Sequence, residues 1–184
     1  MTYESNYCSF TKNLDENNIH KIYHDTQYGF PLNSDNELFG RLILEINQAG
    51  LSWDVILKKQ ENFRKAYSKF SIKTIANYDE NDRNRLLNDK GIVRNKRKVD
   101  AVIYNAKIII ELQKKFCSFQ SWLNKNHPKT KAEWVKLFKK TFKFTGGEIT
   151  NEFLMSTGYL EGSHSKNCII YKEILKKNPK WHTN

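Results

Sequence analysis

Apolar residues recur every three or four positions along most of the chain, which is the spacing of helices that bury one face. The segment 34–37 has the form of a capping box, and apolar residues at helical spacing follow it up to Ile46. Ser52 and Asp79 are expected to begin two further helices, and the second of these stops near Gly91. The first half of the chain therefore predicts helices joined by tight turns.

The longest predicted helix runs from Asn95 to about Lys115. It is rich in β-branched residues, but the spacing of its apolar positions and its length favour a helix over a strand. Shorter helices are expected at 118–125, 132–141, 148–157 and 165–177. Residues 32–127 contain no proline, and the chain shows neither a hairpin turn nor strict apolar–polar alternation, so we predict an all-α fold.

The composition excludes membrane-spanning and secreted classes of protein. No apolar run approaches the roughly 20 residues of a membrane span, and residues 1–6 lack the basic start and apolar stretch of a signal peptide. The three cysteines, Cys8, Cys117 and Cys168, cannot all pair within one chain. We therefore expect a protein of the reducing cytoplasm that makes no membrane contact. We also expect a monomer, and we interpret Cys117 as a buried thiol in a helix turn.

Positive charge is in excess, and part of that excess is concentrated at one predicted turn. The chain has 31 Lys and Arg against 20 Asp and Glu, a net charge of +11 that attracts nucleic acid. Helix–hairpin–helix elements bind DNA phosphates through turn amides and nearby cations, although Val93 stands where a second glycine is usual. An ordinary helical hairpin with a solvated basic face is the alternative. The candidate phosphate contacts are Lys90, Gly91, Arg94, Lys96, Arg97 and Lys98.

Cysteine and histidine residues near the two ends of the chain form a candidate metal site. His164 and Cys168 have i, i+4 spacing, which on a helix turns both side chains to one face. With Cys8 and His24 they make a two-Cys, two-His set suited to tetrahedral zinc, which would join the termini. His20, four residues before His24, is a rival ligand, and packing or surface roles are the alternative for all of these side chains.

The segment from Glu45 to Trp53 places a carboxylate, amides and an indole around a glycine turn. Glu45 lies beside the apolar stripe of its helix rather than opposite it, and a buried Glu needs a compensating donor or cation. A surface Glu45 and a core Trp53 are the simpler alternative.

Blocks of residues from 8 to 168 resemble the DNA-3-methyladenine glycosylase I family, in the family's order and at nearly its spacings. The most specific is Gln48-Ala49-Gly50-Leu51-Ser52-Trp53, preceded by Leu44-Glu45. The others are Cys8, Tyr23-His24-Asp25-x-x-Tyr28-Gly29-x-Pro31, Gly91-Ile92-Val93-Arg94-x-x-x-Lys98, Asn105-Ala106, Phe142-Lys143-Phe144-x-Gly146, Phe153, Gly158 and His164-x-x-x-Cys168.

The resemblance implies a single helix–hairpin–helix glycosylase domain over residues 1–184, with a hairpin lobe at about 35–145 and a zinc lobe from about 1–34 and 146–184. It implies one structural zinc ion bound by Cys8, His24, His164 and Cys168. Glu45 stands where the family's pocket carboxylate binds the excised base, and Tyr23, Trp53 and Gln48 stand at base-binding positions. Gly50 and Leu51 fall in the loop that family members press into the duplex.

The implied activity is monofunctional hydrolysis of the N-glycosidic bond of 3-methyladenine in alkylated double-stranded DNA. The enzyme would flip the base out of the duplex, and 3-methylguanine is a further expected substrate. The alternative is a zinc-stabilised DNA-binding protein with weak or no catalysis, because the rim of the pocket departs from the family pattern. The departures are His20, Gln27, Tyr28, Ile46, Asn151 and Met155.

Overall fold

The computed structural model describes residues 6–183, and regular structure in that range is entirely helical, which confirms the all-α prediction there. The expectation of no signal peptide rests mainly on residues 1–5, outside the described range. The helices are α1 (Asn6–Thr11), α2 (Ile19–Thr26), α3 (Asp35–Gln48), α4 (Trp53–Lys58), α5 (Gln60–Ala66), α6 (Ile72–Ala76), α7 (Glu80–Asn88), α8 (Lys96–Phe116), α9 (Phe119–Asn126), α10 (Lys131–Thr141), α11 (Gly147–Ser156) and α12 (Ile169–Leu175), with 3₁₀ helices at Ser68–Phe70 and Lys180–His182.

Helix α3 lies at the centre of the molecule and packs against α4, α8, α9 and α11. Its predicted apolar stripe, which includes Leu38, Leu42 and Ile46, is fully buried. Because helices surround α3 on several sides, its polar residues Arg41 and Glu45 are buried as well. This enclosure sets the electrostatics of the candidate site.

The capping box predicted at the start of α3 does not form. Ser34 occupies the N-cap position but makes no side-chain hydrogen bond there. Asp35 Oδ2 instead accepts a hydrogen bond from the backbone N–H of Phe119 at 2.7 Å, and Asn36 Oδ1 accepts one from the N–H of Ile72 at 3.1 Å. Helix N-termini leave unpaired amides, so the first turn of α3 supplies acceptors to α9 and α6 rather than to itself.

Two predicted helix starts have the expected caps. Asp79 accepts a hydrogen bond from Asp82 N at 3.0 Å, and Asn95 accepts one from Lys98 N at 3.3 Å at the start of the long helix α8. The helix expected after Ser52 is divided into α4 and α5, and the residue between them has non-helical backbone angles.

Cys117 was predicted to be a buried thiol, and this is wrong. Its side chain is exposed, and its φ of 71° places it in the left-handed region where α8 ends. Among residues 6–183, no helix combines the length and the apolar character that crossing a membrane requires.

Candidate functional site

Four potential metal ligands from distant parts of the chain converge on one point. Their ligand atoms, from Cys8 on α1, His24 on α2, and His164 and Cys168 before α12, all lie within 4.8 Å of one another. His24 Nε2 is 3.3 Å from Cys8 Sγ, and Cys168 Sγ is 3.6 Å from His164 Nδ1. Tetrahedral coordination with zinc-like bond lengths separates a sulfur and a nitrogen ligand by roughly 3.6 Å. The four side chains therefore fit a tetrahedral ion.

The expected helical face carrying His164 and Cys168 is absent. The helix predicted at 165–177 begins only at Ile169, with Cys168 as its N-cap residue, and His164 lies in the preceding loop. A turn brings the two residues together instead, since Cys168 N donates to Ser165 O at 2.9 Å.

Both histidines are oriented by contacts to the ring nitrogen that faces away from the sulfurs. His24 Nδ1 lies 2.6 Å from Asp25 Oδ1, and His164 Nε2 lies 2.8 Å from the carbonyl oxygen of Tyr28. Metal-binding histidines are usually held by such outer partners. The rival His20 lies outside the cluster, with its Nδ1 3.1 Å from the hydroxyl of Tyr7.

Glu45 is a buried carboxyl group near the end of α3, with 4% of its surface exposed. Burial raises its pKa to about 8, because a charged carboxylate loses its hydration there. Arg41, one turn earlier and also buried, opposes this rise in the pKa, whereas Glu152 on α11 adds to it. The site therefore holds a carboxyl group whose ionised form is only partly balanced, so that a further positive charge beside it would favour ionisation.

Aromatic rings line the site beside Glu45. The ring centroid of Tyr23 lies 5.1 Å from that of Trp53 and 5.6 Å from that of Tyr28. Arg41 Nη1 donates to the Tyr23 hydroxyl at 2.9 Å, and this hydrogen bond restrains the ring. For a base to stack between two rings, the planes of the rings must be about 7 Å apart, which is twice the spacing of stacked bases. A base therefore stacks between Tyr23 and Trp53 only if one ring moves aside.

The turn after α3 presents an exposed leucine. Gln48 Nε2 donates to Leu51 O at 2.9 Å, and Leu51 N donates back to Gln48 O at 2.7 Å, so the Gln48 amide holds the turn. Gly50 has a φ of +79° and open space around its Cβ position, so any other residue would be strained by its backbone alone. Leu51 is 37% exposed.

The predicted hairpin is the turn between α7 and α8, and its backbone is held by side chains. The N–H of Gly91 donates to Asp89 Oδ1 at 2.7 Å, so this amide already has a partner within the chain. Lys59 Nζ donates to the carbonyl oxygens of Lys90 and Gly91, each at 3.1 Å. Four candidate phosphate contacts are exposed and form no ion pair with any described residue: Lys90, Arg94, Lys96 and Arg97.

Lys98, also expected to contact phosphate, does not face solvent. Its side chain is buried, and Nζ donates to the carbonyl oxygens of Asn47 at 2.8 Å and Ala49 at 2.7 Å. These carbonyls end α3, where unpaired acceptors favour a cation. Lys98 therefore joins the start of α8 to the turn that carries Gly50.

Two charged residues of the site were missed by sequence reasoning. Arg41 had a weak signal, because it precedes Glu45 by four residues and so lies on the same helix face. Glu152 had none, since its hydrogen bond from the Tyr28 hydroxyl, at 3.1 Å, joins residues 124 positions apart.

Comparison with known proteins places this geometry in a family. A family model described as methyladenine glycosylase matches residues 13–171. DNA-3-methyladenine glycosylase 1 of Escherichia coli (strain K12) is 32% identical over 172 residues, covering 83% of this chain and 91% of that protein. DNA-3-methyladenine glycosylase of Haemophilus influenzae (strain ATCC 51907 / DSM 11121 / KW20 / Rd) is 32% identical over 171 residues, covering 83% and 92%.

Solved structures agree with these matches. One of them is 3-methyladenine DNA glycosylase I from Staphylococcus aureus, solved to show the structural basis of 3-methyladenine recognition. It superimposes on this chain with a TM-score of 0.77 at 28% identity. The match covers 90% of this chain and 96% of that one. Sequence and fold lead to one conclusion: the chain belongs to the methyladenine glycosylase family.

Proposed function

We propose that this protein is a DNA repair glycosylase that removes 3-methyladenine, and 3-methylguanine as a second base, from alkylated double-stranded DNA. The observation that carries the proposal is the buried carboxyl group of Glu45 beside Tyr23 and Trp53, in a chain of this family. Enzymes that act on a base in DNA take it out of the stack into the active site.

The chemistry follows from the charge of the lesion. Methylation at N3 makes the base in DNA cationic and weakens its glycosidic bond, so the leaving group is already activated. In the proposed complex Glu45 accepts from the exocyclic amine and balances the positive charge, while Tyr23 and Trp53 attract the cation through their ring faces. Neutral adenine lacks that charge and binds less well.

The reaction breaks the bond between C1′ of the sugar and the base nitrogen, and water supplies the oxygen that C1′ gains. The residues described here bind and orient a labile substrate. Glu45 acts on the leaving base, and we assign no side chain as the base that activates water.

DNA binding is assigned to two surfaces. Arg94, Lys96 and Arg97 are exposed at the start of α8, which supports the proposal that they contact phosphates. Leu51, at the tip of the turn after α3, is the side chain proposed to fill the gap left by the flipped base, with Gly50 permitting the turn. The side chain of Lys98 positions that turn instead of contacting phosphate.

Reversing charge at the hairpin tests this assignment. The double substitution Lys96→Glu and Arg97→Glu is expected to weaken binding to methylated and unmethylated duplexes about equally and to reduce its salt dependence. The matched control is Lys139→Glu with Lys140→Glu, an exposed adjacent pair at the end of α10 that changes the net charge equally. Loss of affinity confined to lesion-containing DNA would contradict the phosphate role.

The metal proposed for Cys8, His24, His164 and Cys168 is one zinc ion. Two sulfurs and two imidazoles at tetrahedral spacing suit zinc, and with all four positions taken by protein its role when bound is structural. We propose a monomer in the reducing cytoplasm, where the cysteines are available as thiolate ligands.

The second candidate function is DNA binding without effective catalysis, favoured by the altered rim. Asn151 Nδ2 and Met155 Sδ lie 3.7 Å apart, Gln60 Nε2 donates to Gln27 Oε1 at 3.0 Å, and Ile46 is fully buried beside Glu45. One assay separates the two functions. Release of free 3-methyladenine from methylated duplex, measured beside a DNA-binding titration, is expected from the enzyme; binding without release supports the alternative.

A further inference from the structure

A second carboxyl group, that of Glu152, lies beside the aromatic rings of the candidate site, on a different helix from Glu45. Glu152 lies on α11, which packs against α3. The Tyr28 hydroxyl donates to Glu152 Oε2 at 3.1 Å, and the Tyr28 ring lies 5.6 Å from the ring of Tyr23. Glu152 is therefore tied directly to the aromatic wall of the pocket.

The charges of Glu152 and Glu45 act on the same groups. Both carboxylates act electrostatically on Tyr23 and Tyr28, and Glu152 acts on Glu45 itself. Burial also raises the pKa of Glu152, as expected of a carboxylate withdrawn from water, and the hydrogen bond from Tyr28 opposes that rise.

Counting formal charges shows what the pocket lacks. Glu45 and Glu152 both act electrostatically on the aromatic rings, and the buried cation beside them is Arg41, which donates to the Tyr23 hydroxyl. Lys131 also acts on Glu152, but its side chain is half exposed and pairs with Glu148. With both carboxylates ionised, one negative charge is left without a buried partner. A bound cationic base supplies the missing positive charge, whereas a neutral base of the same outline does not.

We propose that Glu152, held by Tyr28, is a second specificity-determining carboxylate that selects cationic over neutral bases together with Glu45. This inference rests on the proposed function, because it assumes that the pocket receives a base. It assigns a purpose to Tyr28, whose hydroxyl provides the donor that anchors Glu152.

The test compares two ligands that differ by one methyl group and one charge. 3,9-Dimethyladeninium is a fixed cation that represents the lesion, and 9-methyladenine is its neutral counterpart. Their dissociation constants are measured by calorimetry for the parent protein and for Glu152→Gln, which keeps an acceptor for Tyr28 but removes the charge. We expect the preference for the cation to fall three- to tenfold in Glu152→Gln. Tyr28→Phe is expected to lower it in the same direction.

The matched control is Glu111→Gln, which removes the same charge from an exposed, ion-paired position near the end of α8. A purely structural role for Glu152 changes both dissociation constants together and leaves their ratio at the parent value, which would overturn the proposal. An equal fall in the ratio for Glu111→Gln would also overturn it, since the effect would then come from the net charge of the protein and not from Glu152.

Release of 3-methyladenine by the parent protein is measured separately from these ratios. A parent that prefers the cation through Glu152 but releases no base would contradict the proposed activity and support this inference. A parent that releases the base while Glu152→Gln keeps the full preference would support the activity and contradict the inference.

Discussion

Replacing Glu45 by glutamine is expected to slow excision of 3-methyladenine on the order of tenfold to a hundredfold. Glutamine keeps the shape and part of the hydrogen bonding, but it cannot ionise in response to the bound cationic base as Glu45 can. A charge-assisted hydrogen bond contributes roughly 1.5–3 kcal/mol, which corresponds to that range of rates. Duplex binding should barely change, because the proposed phosphate contacts lie at the start of α8.

The same substitution is expected to stabilise the folded protein at alkaline pH. The pKa of Glu45 is about 8 in the folded protein against an ordinary value of 4.5, so the folded state holds this proton more tightly than the unfolded chain. The penalty for burying the group therefore grows as the pH rises from 4.5 to about 8. Relative to the parent, the free energy of unfolding of Glu45→Gln should gain up to about 5 kcal/mol above this window and almost nothing below it.

Single-turnover excision and urea unfolding at pH 5 and pH 8.5 measure the two effects. Glu61→Gln, an exposed substitution on α5, is the control for removing a carboxylate. Excision at the parent rate by a folded, DNA-binding Glu45→Gln protein would make Glu45 a structural residue. An unfolding free energy that keeps a constant offset from the parent at both pH values would contradict the raised pKa.

Removing the metal is expected to lower stability more than it lowers the affinity of the folded protein for a base. The four ligands join α1 and α2 to the segment before α12, so losing the ion releases both ends of the chain. We expect Cys168→Ser, or chelation of the parent, to lower the thermal unfolding midpoint by roughly 10 °C, the shift that about 3–5 kcal/mol produces in a chain of this size.

Elemental analysis and thermal unfolding with and without chelator check this prediction. Cys117→Ser is the matched control, because Cys117 is exposed and outside the ligand cluster. Purified parent protein without zinc, or equal midpoints for the two serine variants, would refute a structural zinc site.

The periodicity of apolar residues was enough to predict the helices that carry the core. The apolar stripe of α3 and the long helix α8 follow directly from it, because a helix that buries one face must repeat every three to four residues. Local capping signals were less reliable. Asp79 caps its own helix, whereas Asp35 hydrogen bonds to the start of α9, since a side chain acceptor pairs with whichever buried amide lies nearest.

The candidate metal site was also only partly predictable from the sequence. Motif spacing predicted a metal site at four residues, and the structure brings their side chains together: Cys8, His24, His164 and Cys168. The sequence could not show that a loop, rather than a helix face, carries His164 and Cys168, because i, i+4 spacing fits both.

By itself the sequence determined an all-α fold, an excess of positive charge and the residues of a candidate base-binding site. Only the tertiary structure decided the electrostatic setting of those residues. It buried Lys98 against the carbonyls that end α3, placed Arg41 behind Tyr23, and brought Glu152 to Tyr28 across 124 residues. The physical reason is that burial and charge pairing depend on what surrounds a side chain, and helix packing rather than the local sequence supplies those surroundings.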